Sequence, residues 1–170
     1  DFQLKSSLHF TKGSCEIGLA ALRAGAPILT DTQMAAVAVR PMALRTLKNS
    51  VRSVLEWAPQ NVPFGLTRTS EGMNFAWKEL SREFSEAQAP IVLIGSSPTA
   101  LNTLLDLISL GSPSPSLIVG MPVGFVGVDE SKRRLRNSGL VHIRLDGSRG
   151  GASISAAVVN ALLRASQFEG

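Results

Sequence analysis

Three short apolar runs of the chain each end in a turn that contains glycine, and the residues around two of these glycine turns are polar or basic. The first run, residues 90–94, leads into Gly95, Ser96, Ser97 and Thr99 before an apolar helical pattern. The start of a helix offers backbone N–H groups that lack intrahelical partners, and it favours negative charge. These residue types in this order predict a site for an anionic group, although a tight turn alone would also explain the glycine.

The second apolar run, residues 117–119, does not give way to a polar loop. Met121, Pro122, Gly124 and Phe125 follow it, and we call residues 121–127 the lip. An apolar lip beside a ligand site suits a large, flat, partly hydrophobic ligand. Packing of this loop under a neighbouring helix or a partner subunit is the alternative.

The third run, residues 141–145, is followed by Arg149, Gly150 and Gly151 and then by the last helix. Glycines let the backbone approach a ligand closely, and the arginine adds a full positive charge. We expect this turn to favour anions as the first one does, with a purely structural tight turn as the alternative.

The elements that position these turns alternate between strand and helix. Apolar strands are predicted near residues 27–30, 51–55, 90–94, 117–119 and 141–145, with helical patterns between them. This alternation is typical of an α/β protein with an open, mostly parallel five-stranded sheet and helices on both faces. The carboxyl ends of parallel strands share one edge of the sheet, so we expect the three turns to lie together there.

Three predictions concern individual helices. We expect a short helix at residues 34–37, with a cap at Asp31 and Thr32 and with Pro41 limiting any extension. The basic residues at 132–136 are expected on a solvated helix face. The last helix, residues 152–164, is expected to bury the apolar face formed by Ile154, Ala157, Val158, Ala161 and Leu162.

Composition limits the class of protein. With 170 residues, 44% of them hydrophobic and 18% charged, the chain fits a single domain, residues 1–170. Its net charge of +4 suits an anionic partner, but the aromatic residues are not interleaved with Lys and Arg, which disfavours nucleic acid. No apolar run approaches the roughly 20 residues that span a membrane. A lone cysteine, Cys15, favours a reducing, cytoplasmic compartment.

Several common sites have no counterpart in the sequence. Neither a GxxxxGKS/T loop nor a GxGxxG turn is present, which disfavours a P-loop and a dinucleotide fold. His9 and His142 have no other metal-binding residues at ligand spacing, so we predict structural roles for both and no metal site. Ser96, Ser97 and Ser153 lack histidine–carboxylate partners, so a hydrolytic triad is not expected.

Four blocks of the sequence, in order, resemble the precorrin-8X methylmutase family of cobalamin biosynthesis, also called precorrin isomerases. The blocks are residues 25–34, Thr67-Arg68-Thr69, residues 95–101, and residues 120–127 with 130–132. The resemblance runs essentially from end to end of the chain. One such block would be weak, whereas four in order at suitable spacing are specific.

The resemblance implies a flavodoxin-like α/β fold and a homodimer. It also implies an isomerase that moves a methyl group from C11 to C12 of precorrin-8x or cobalt-precorrin-8, with no metal or organic cofactor. The substrate would be a flat macrocycle edged with carboxylates. That agrees with the basic charge, the anion-favouring turns and the apolar lip.

Residue roles follow from the matching positions. Arg68 is the catalytic candidate, and we expect it to contact a substrate carboxylate, or the ring from across a dimer. The substrate-binding candidates all fall within or beside the turns described above or the blocks of the resemblance: Asp31, Met34, Thr67, Gly95, Ser96, Ser97, Thr99, Met121, Pro122, Gly124, Phe125, Arg149, Gly150 and Gly151.

One departure from the family pattern bears on activity. The family's histidine, which is thought to protonate or hydrogen-bond the macrocycle, lies in an Arg-x-x-His segment shortly before a stretch similar to residues 1–4. We therefore expect an N-terminally truncated chain that starts after this histidine, and His9 does not take its place. Besides the isomerase, two hypotheses stay open: a non-catalytic module that binds a corrin or tetrapyrrole, and an unrelated anion-binding protein of the same fold.

Overall fold

The computed structural model describes residues 4–168 and contains one sheet with helices on both faces. The strands are β1 (Leu8–Phe10), β2 (Ile28–Thr30), β3 (Val51–Ser53), β4 (Ile91–Ile94), β5 (Leu117–Gly120) and β6 (His142–Leu145). The helices are α1 (Ser14–Arg23), α2 (Gln33–Arg45), α3 (Arg68–Leu80), α4 (Pro98–Ser109), α5 (Val128–Arg136) and α6 (Ala152–Ala165). The predicted α/β class with a mostly parallel sheet is confirmed.

The strand order is β1-β6-β5-β4-β2-β3. Its five parallel members follow the doubly wound order 2-1-3-4-5 that is typical of flavodoxin-like folds. β1 pairs antiparallel with β6 and makes six strands instead of the five expected. β1 has only three residues, which are too few for an alternation of apolar and polar side chains to identify a strand from the sequence. The order reverses between β2 and β4, and the crevice that binds ligands in such folds lies at the carboxyl ends of these two strands.

Side chains of the central strands alternate between two apolar cores. Ile91 and Leu93 of β4 pack with buried residues of α1, α2 and α6, whereas Val92 and Ile94 pack with α3, α4 and α5. Burial on both faces explains why the parallel strands are continuous apolar runs. Among residues 4–168, no helix has the length and apolar character to cross a membrane.

α2 extends further than the sequence indicated. It runs from Gln33 through Pro41 to Arg45 and is capped by Thr32, whose hydroxyl accepts a hydrogen bond from the Ala35 amide. Pro41 removes one helical hydrogen bond, but it lies on the exposed face of the helix. The buried face, formed by Ala35, Ala36, Val39 and Ala43, packs into the core, and this tertiary packing outweighs the cost of the proline.

α6 buries a different face from the one expected. Its buried residues are Ala152, Ser155, Ala156, Val159, Leu162 and Leu163, so only Leu162 of the predicted five is buried. Ala157 and Ala161 are exposed. Alanine, valine and leucine occupy most sides of this helix, so helical periodicity alone could not select the face that meets the sheet.

Replacement of Gly95 at the end of β4 by any residue with a Cβ atom is predicted to destabilise the fold. A Cβ atom there would lie 2.6 Å from Ser155 Oγ and 2.7 Å from the Ala152 Cα and N atoms. Gly95→Ala should lower the free energy of unfolding by about 2 kcal/mol, because α6 has to shift to make room. Urea unfolding monitored by circular dichroism measures this. Ser96→Ala is the matched control and should change stability by less than about 0.5 kcal/mol; equal effects of the two substitutions would contradict the packing argument.

Candidate functional site

The carboxyl ends of β2, β4, β5 and β6 lie side by side along one edge of the sheet, because these strands are parallel neighbours. The chain leaves these strands at Asp31, Gly95, Met121 and Asp146. The three turns singled out in the sequence therefore share this edge with Asp31. The first turn and Asp31 flank the point where the strand order reverses.

Asp31 is fully buried and binds the start of α4. Its Oδ2 accepts hydrogen bonds from the backbone amides of Gly95 (3.1 Å), Ser96 (2.6 Å) and Ser97 (2.8 Å). The three amides that we expected to face a ligand are thus already paired, and the anion at this helix start is the chain's own carboxylate. The other oxygen, Oδ1, is buried without a hydrogen-bond partner in the described structure.

The environment of Asp31 shifts its pKa. Burial raises the pKa of this carboxyl above its usual 3.8, because loss of solvent disfavours the charged form. The hydrogen bonds from Ser96, Ser97 and Gly95 oppose this by stabilising the carboxylate, and burial is the larger effect.

Four hydroxyl groups form a closed ring where the starts of α3 and α4 meet. Thr67 and Ser97 are the residues that cap these two helices. The oxygen–oxygen distances around the ring are 3.1 Å from Thr67 to Thr69, 2.7 Å from Thr69 to Ser97, 2.9 Å from Ser97 to Thr99, and 2.8 Å from Thr99 to Thr67. The structure brings three predicted site residues together here and adds Thr69, which belongs to the Thr67-Arg68-Thr69 block of the resemblance but was assigned no binding role.

Arg68 is the first residue of α3 and is flanked in sequence by two members of this hydroxyl ring. It is exposed, and within residues 4–168 it forms no ion pair. Met34, in the first turn of α2, is 66% exposed. Both residues are therefore accessible to a ligand at the carboxyl edge.

The lip divides into a buried part and an exposed part. Met121 and Pro122 are buried, so their side chains do not reach the surface in this structure. Phe125 is 93% exposed, and its neighbours Val123 and Val126 are exposed as well. The apolar surface predicted for the lip exists, but it is formed by its later residues.

The turn after β6, residues 146–151, packs against the lip. The Gly151 amide donates to the Met121 carbonyl (2.9 Å), and the Gly124 amide donates to the Ser148 carbonyl (3.1 Å). Gly150 lies so close to the Met121 carbonyl that a Cβ atom would overlap it. We call residues 146–151 the β6 turn. Arg149 on this turn is exposed.

Lys132 lies in the fourth block of the resemblance, but the sequence assigned it no role in the site. We expected the basic residues of α5 on a solvated face, but Lys132 is only 3% exposed. Its Nζ donates to the carbonyls of Gly147 (2.6 Å) and Arg149 (2.7 Å) in the β6 turn. Loss of solvent lowers the pKa of Lys132 from 10.5 to about 8, while the negative charges of Asp129 and Asp146 act in the opposite direction. A lysine within a basic run carries no local signal for such burial.

The two histidines lie in a polar cluster on β1 and β6. His9 Nε2 is 3.0 Å from Asp146 Oδ2, and Asp146 also accepts from Arg144 Nε (2.8 Å). His142 is buried, with Nδ1 2.9 Å from the Leu140 carbonyl and Nε2 3.1 Å from Arg144 Nη1. Within residues 4–168, no group of three or more His, Cys, Asp or Glu residues is placed to hold a metal ion.

Asp31 is predicted to stabilise the fold through its three amide partners. At pH 7, Asp31→Ala should lower the free energy of unfolding by about 3 kcal/mol, because it leaves buried donors unpaired.

The raised pKa of Asp31 predicts a pH dependence of stability, because the folded chain takes up a proton at higher pH than the unfolded chain does. The stability of the wild type relative to Asp31→Asn should therefore increase as the pH falls from 7 towards 4. Urea unfolding across this pH range measures both effects; a relative stability that decreases on acidification would contradict the raised pKa.

The family model of precorrin-8X methylmutase matches residues 1–165 of the chain. The cobalt-precorrin-8 methylmutase of Synechocystis sp. is 37% identical over 153 residues, which cover 90% of this chain and 67% of that protein. The precorrin-8X methylmutase of Pseudomonas aeruginosa is 38% identical over 162 residues, covering 91% and 73% respectively.

Solved structures agree with these matches. The crystal structure of precorrin-8x methyl mutase from Thermus thermophilus superimposes with a TM-score of 0.86 at 36% sequence identity, covering all of this chain and 81% of that one. Sequence and fold thus lead to the same conclusion: the chain belongs to the precorrin-8X methylmutase family, the isomerases that transfer a methyl group within their substrate during cobalamin biosynthesis.

Proposed function

We propose that this chain binds precorrin-8x or cobalt-precorrin-8 at the carboxyl edge of its sheet and moves the substrate methyl group from C11 to C12. The observation that carries the proposal is the gathering of Arg68, the hydroxyl ring, the lip and the β6 turn around one edge of a family fold. The family match favours the isomerase over a non-catalytic tetrapyrrole-binding module. We place the activity in the cytoplasm, in keeping with the lone Cys15.

The edge offers two kinds of contact to a flat, acidic macrocycle. Arg68 and Arg149 supply positive charge, and the hydroxyl of Thr67 or Thr99 would give up its bond within the ring to donate to a substrate carboxylate. The exposed phenyl ring of Phe125 offers apolar surface to the face of the macrocycle. Because Asp31 occupies the amides at the start of α4, we assign carboxylate recognition to these side chains rather than to that backbone.

The proposed chemistry places modest demands on the protein. A methyl shift along a conjugated ring conserves all atoms of the substrate, so the protein has to fix one tautomer, exclude water and place an acid beside the ring. Arg68 and the hydroxyl ring would fix the position of the macrocycle. The acid would be the histidine of the family's Arg-x-x-His segment, and we assign that role to neither His9 nor His142, because both are engaged in the cluster around Asp146 and Arg144.

The direct test is to add precorrin-8x and follow the absorption spectrum of the chromophore. We would compare this chain with a longer chain that carries an Arg-x-x-His segment from a relative. Conversion by either chain supports the isomerase, and conversion only by the longer one assigns the acid to that segment. Tight binding without conversion by both chains would favour the non-catalytic module, and absence of binding by both would overturn the proposal.

Arg68→Ala is predicted to weaken the binding of precorrin-8x about tenfold or more. Loss of one hydrogen bond from a charged donor to a carboxylate costs about 1.5–3 kcal/mol, and each 1.4 kcal/mol corresponds to a factor of ten in affinity. Titration monitored by absorption measures the dissociation constant. Arg82→Ala, just beyond the opposite end of α3, is the matched control and should leave affinity unchanged. Equal affinity of Arg68→Ala and wild type would remove the role assigned to Arg68.

We propose that the chain forms a homodimer through the outer face of α2. Met34, Val37 and Leu44 are 66%, 60% and 69% exposed and recur at helical spacing, so they form one apolar stripe. No carboxylate interrupts α2, and an apolar stripe is complementary to its own copy across a twofold axis.

The double substitution Val37→Glu and Leu44→Glu should convert this dimer to a monomer, because two pairs of carboxylates would be buried against each other. Light scattering after size-exclusion chromatography measures the mass. Leu110→Glu, at an equally exposed leucine at the end of α4, is the control and should leave the mass unchanged. A double variant that keeps the wild-type dimer mass, or a monomeric wild type, would contradict the assignment.

A further inference from the structure

We infer that Lys132 is a positioning residue for substrate binding, because its buried ammonium group holds the β6 turn against the lip. This inference rests on the function proposed above and assigns a role to a residue outside the candidate binding positions. It starts from an unusual placement: a lysine side chain that is almost entirely buried at the carboxyl edge. Lysine is rarely buried unless its ammonium group is paired.

The hydrogen bonds of Lys132 determine the course of the β6 turn. The carbonyls of Gly147 and Arg149 both point to Nζ, at 2.6 and 2.7 Å. The carbonyl between them, that of Ser148, accepts instead from the Gly124 amide in the lip. Successive carbonyls of the turn are therefore bound alternately by α5 and by the lip, and charge-assisted bonds to an ammonium group are stronger than neutral ones.

Lys132 and Gly124 belong to one continuous stretch of chain, because α5 follows the lip directly. The β6 turn is therefore hydrogen-bonded both to the lip and to Lys132 of α5, and the lip is joined to α5 by the chain itself. Two substrate-binding candidates are held in this way: Arg149, whose carbonyl binds Lys132, and Gly150, which lies between that contact and the Gly151–Met121 hydrogen bond. Loss of the ammonium group would release the backbone of the turn that carries them.

A carboxylate partner for Lys132 would be the simpler arrangement, but the hydrogen bonds of Nζ go to backbone carbonyls. The charged groups around the same cavity are Asp129, Arg133 and Arg136 from α5 and Asp146 from the turn. Asp146 is itself paired with Arg144 and His9. The ammonium group therefore acts on the shape of the turn rather than as one half of an ion pair.

The test compares wild type with Lys132→Met and Lys132→Gln, and uses Arg133→Met, an exposed neighbour on α5, as the matched control. Amide hydrogen exchange should become at least tenfold faster at Gly124 and Gly151, whose amides bond the lip to the β6 turn, in both Lys132 variants and stay unchanged in the control. Trypsin should also cleave after Arg149 faster in the Lys132 variants. Unchanged exchange and cleavage would overturn the inference, because the turn would then hold without Lys132.

Substrate binding separates a positioning role from a purely structural one. Precorrin-8x should bind about tenfold more weakly to the Lys132 variants, whereas the control should bind as wild type does. The affinity of the wild type should also decline as the pH rises through about 8, where Lys132 loses its proton, and this step should be missing in Lys132→Gln. Faster exchange with unchanged affinity would reduce Lys132 to a structural role and overturn the inference.

The binding measurement separates a failure of the role assigned to Lys132 from a failure of the proposed function. If wild type binds precorrin-8x and the Lys132 variants bind it equally well, the inference fails and the function stands. If wild type does not bind precorrin-8x, the function fails, and the positioning role for substrate fails with it. A melting temperature of the variants close to that of wild type shows that altered binding does not arise from unfolding.

Discussion

The carboxylate of Asp31 ties the end of β2 to the start of α4 at the point where the strand order reverses. In most folds of this kind a ligand binds in that crevice, and the N-termini of the helices there favour the binding of anions. Here a buried side chain occupies the position, and burial opposes its charge while three amides support it. The proposed recognition of substrate by side chains elsewhere along the edge follows from this constraint, because the anion site at the start of α4 is already filled.

Two further polar connections hold the edge together on either side of Asp31. On one side, the hydroxyl ring joins the starts of α3 and α4 and sets the position of Arg68. On the other side, Lys132 joins α5 to the β6 turn, which rests on the lip. Both are networks in which side chains bind groups from distant parts of the chain. Burial makes the loss of a partner costly at Lys132 and at Ser97 of the hydroxyl ring, so these two groups fix the local geometry most strongly.

Apolar side chains are exposed in three separate regions of the described surface. Phe125 and Val126 of the lip are exposed beside the candidate site, and the stripe on α2 is exposed at its flank. A third apolar region is a groove between β1 and α6, lined by Leu8, Phe10, Ile154 and Val158 among others. Part of the α6 face that the sequence indicated as core lines this groove. The apolar pattern of α6 therefore did not say which of its residues face the sheet.

The sequence by itself determined the alternation of strands and helices, the parallel sheet and the family, because buried strands and capped helices leave local patterns of apolar residues and turn residues. It also placed the three turns at one edge, since parallel strands end on the same side. Only the tertiary structure decided that Asp31 fills the amides of the first turn, that Lys132 is buried, and which face of α6 meets the sheet. Each of these depends on contacts between residues far apart in the chain, such as the 64 to 66 positions that separate Asp31 from its amide partners, and local sequence carries no record of them.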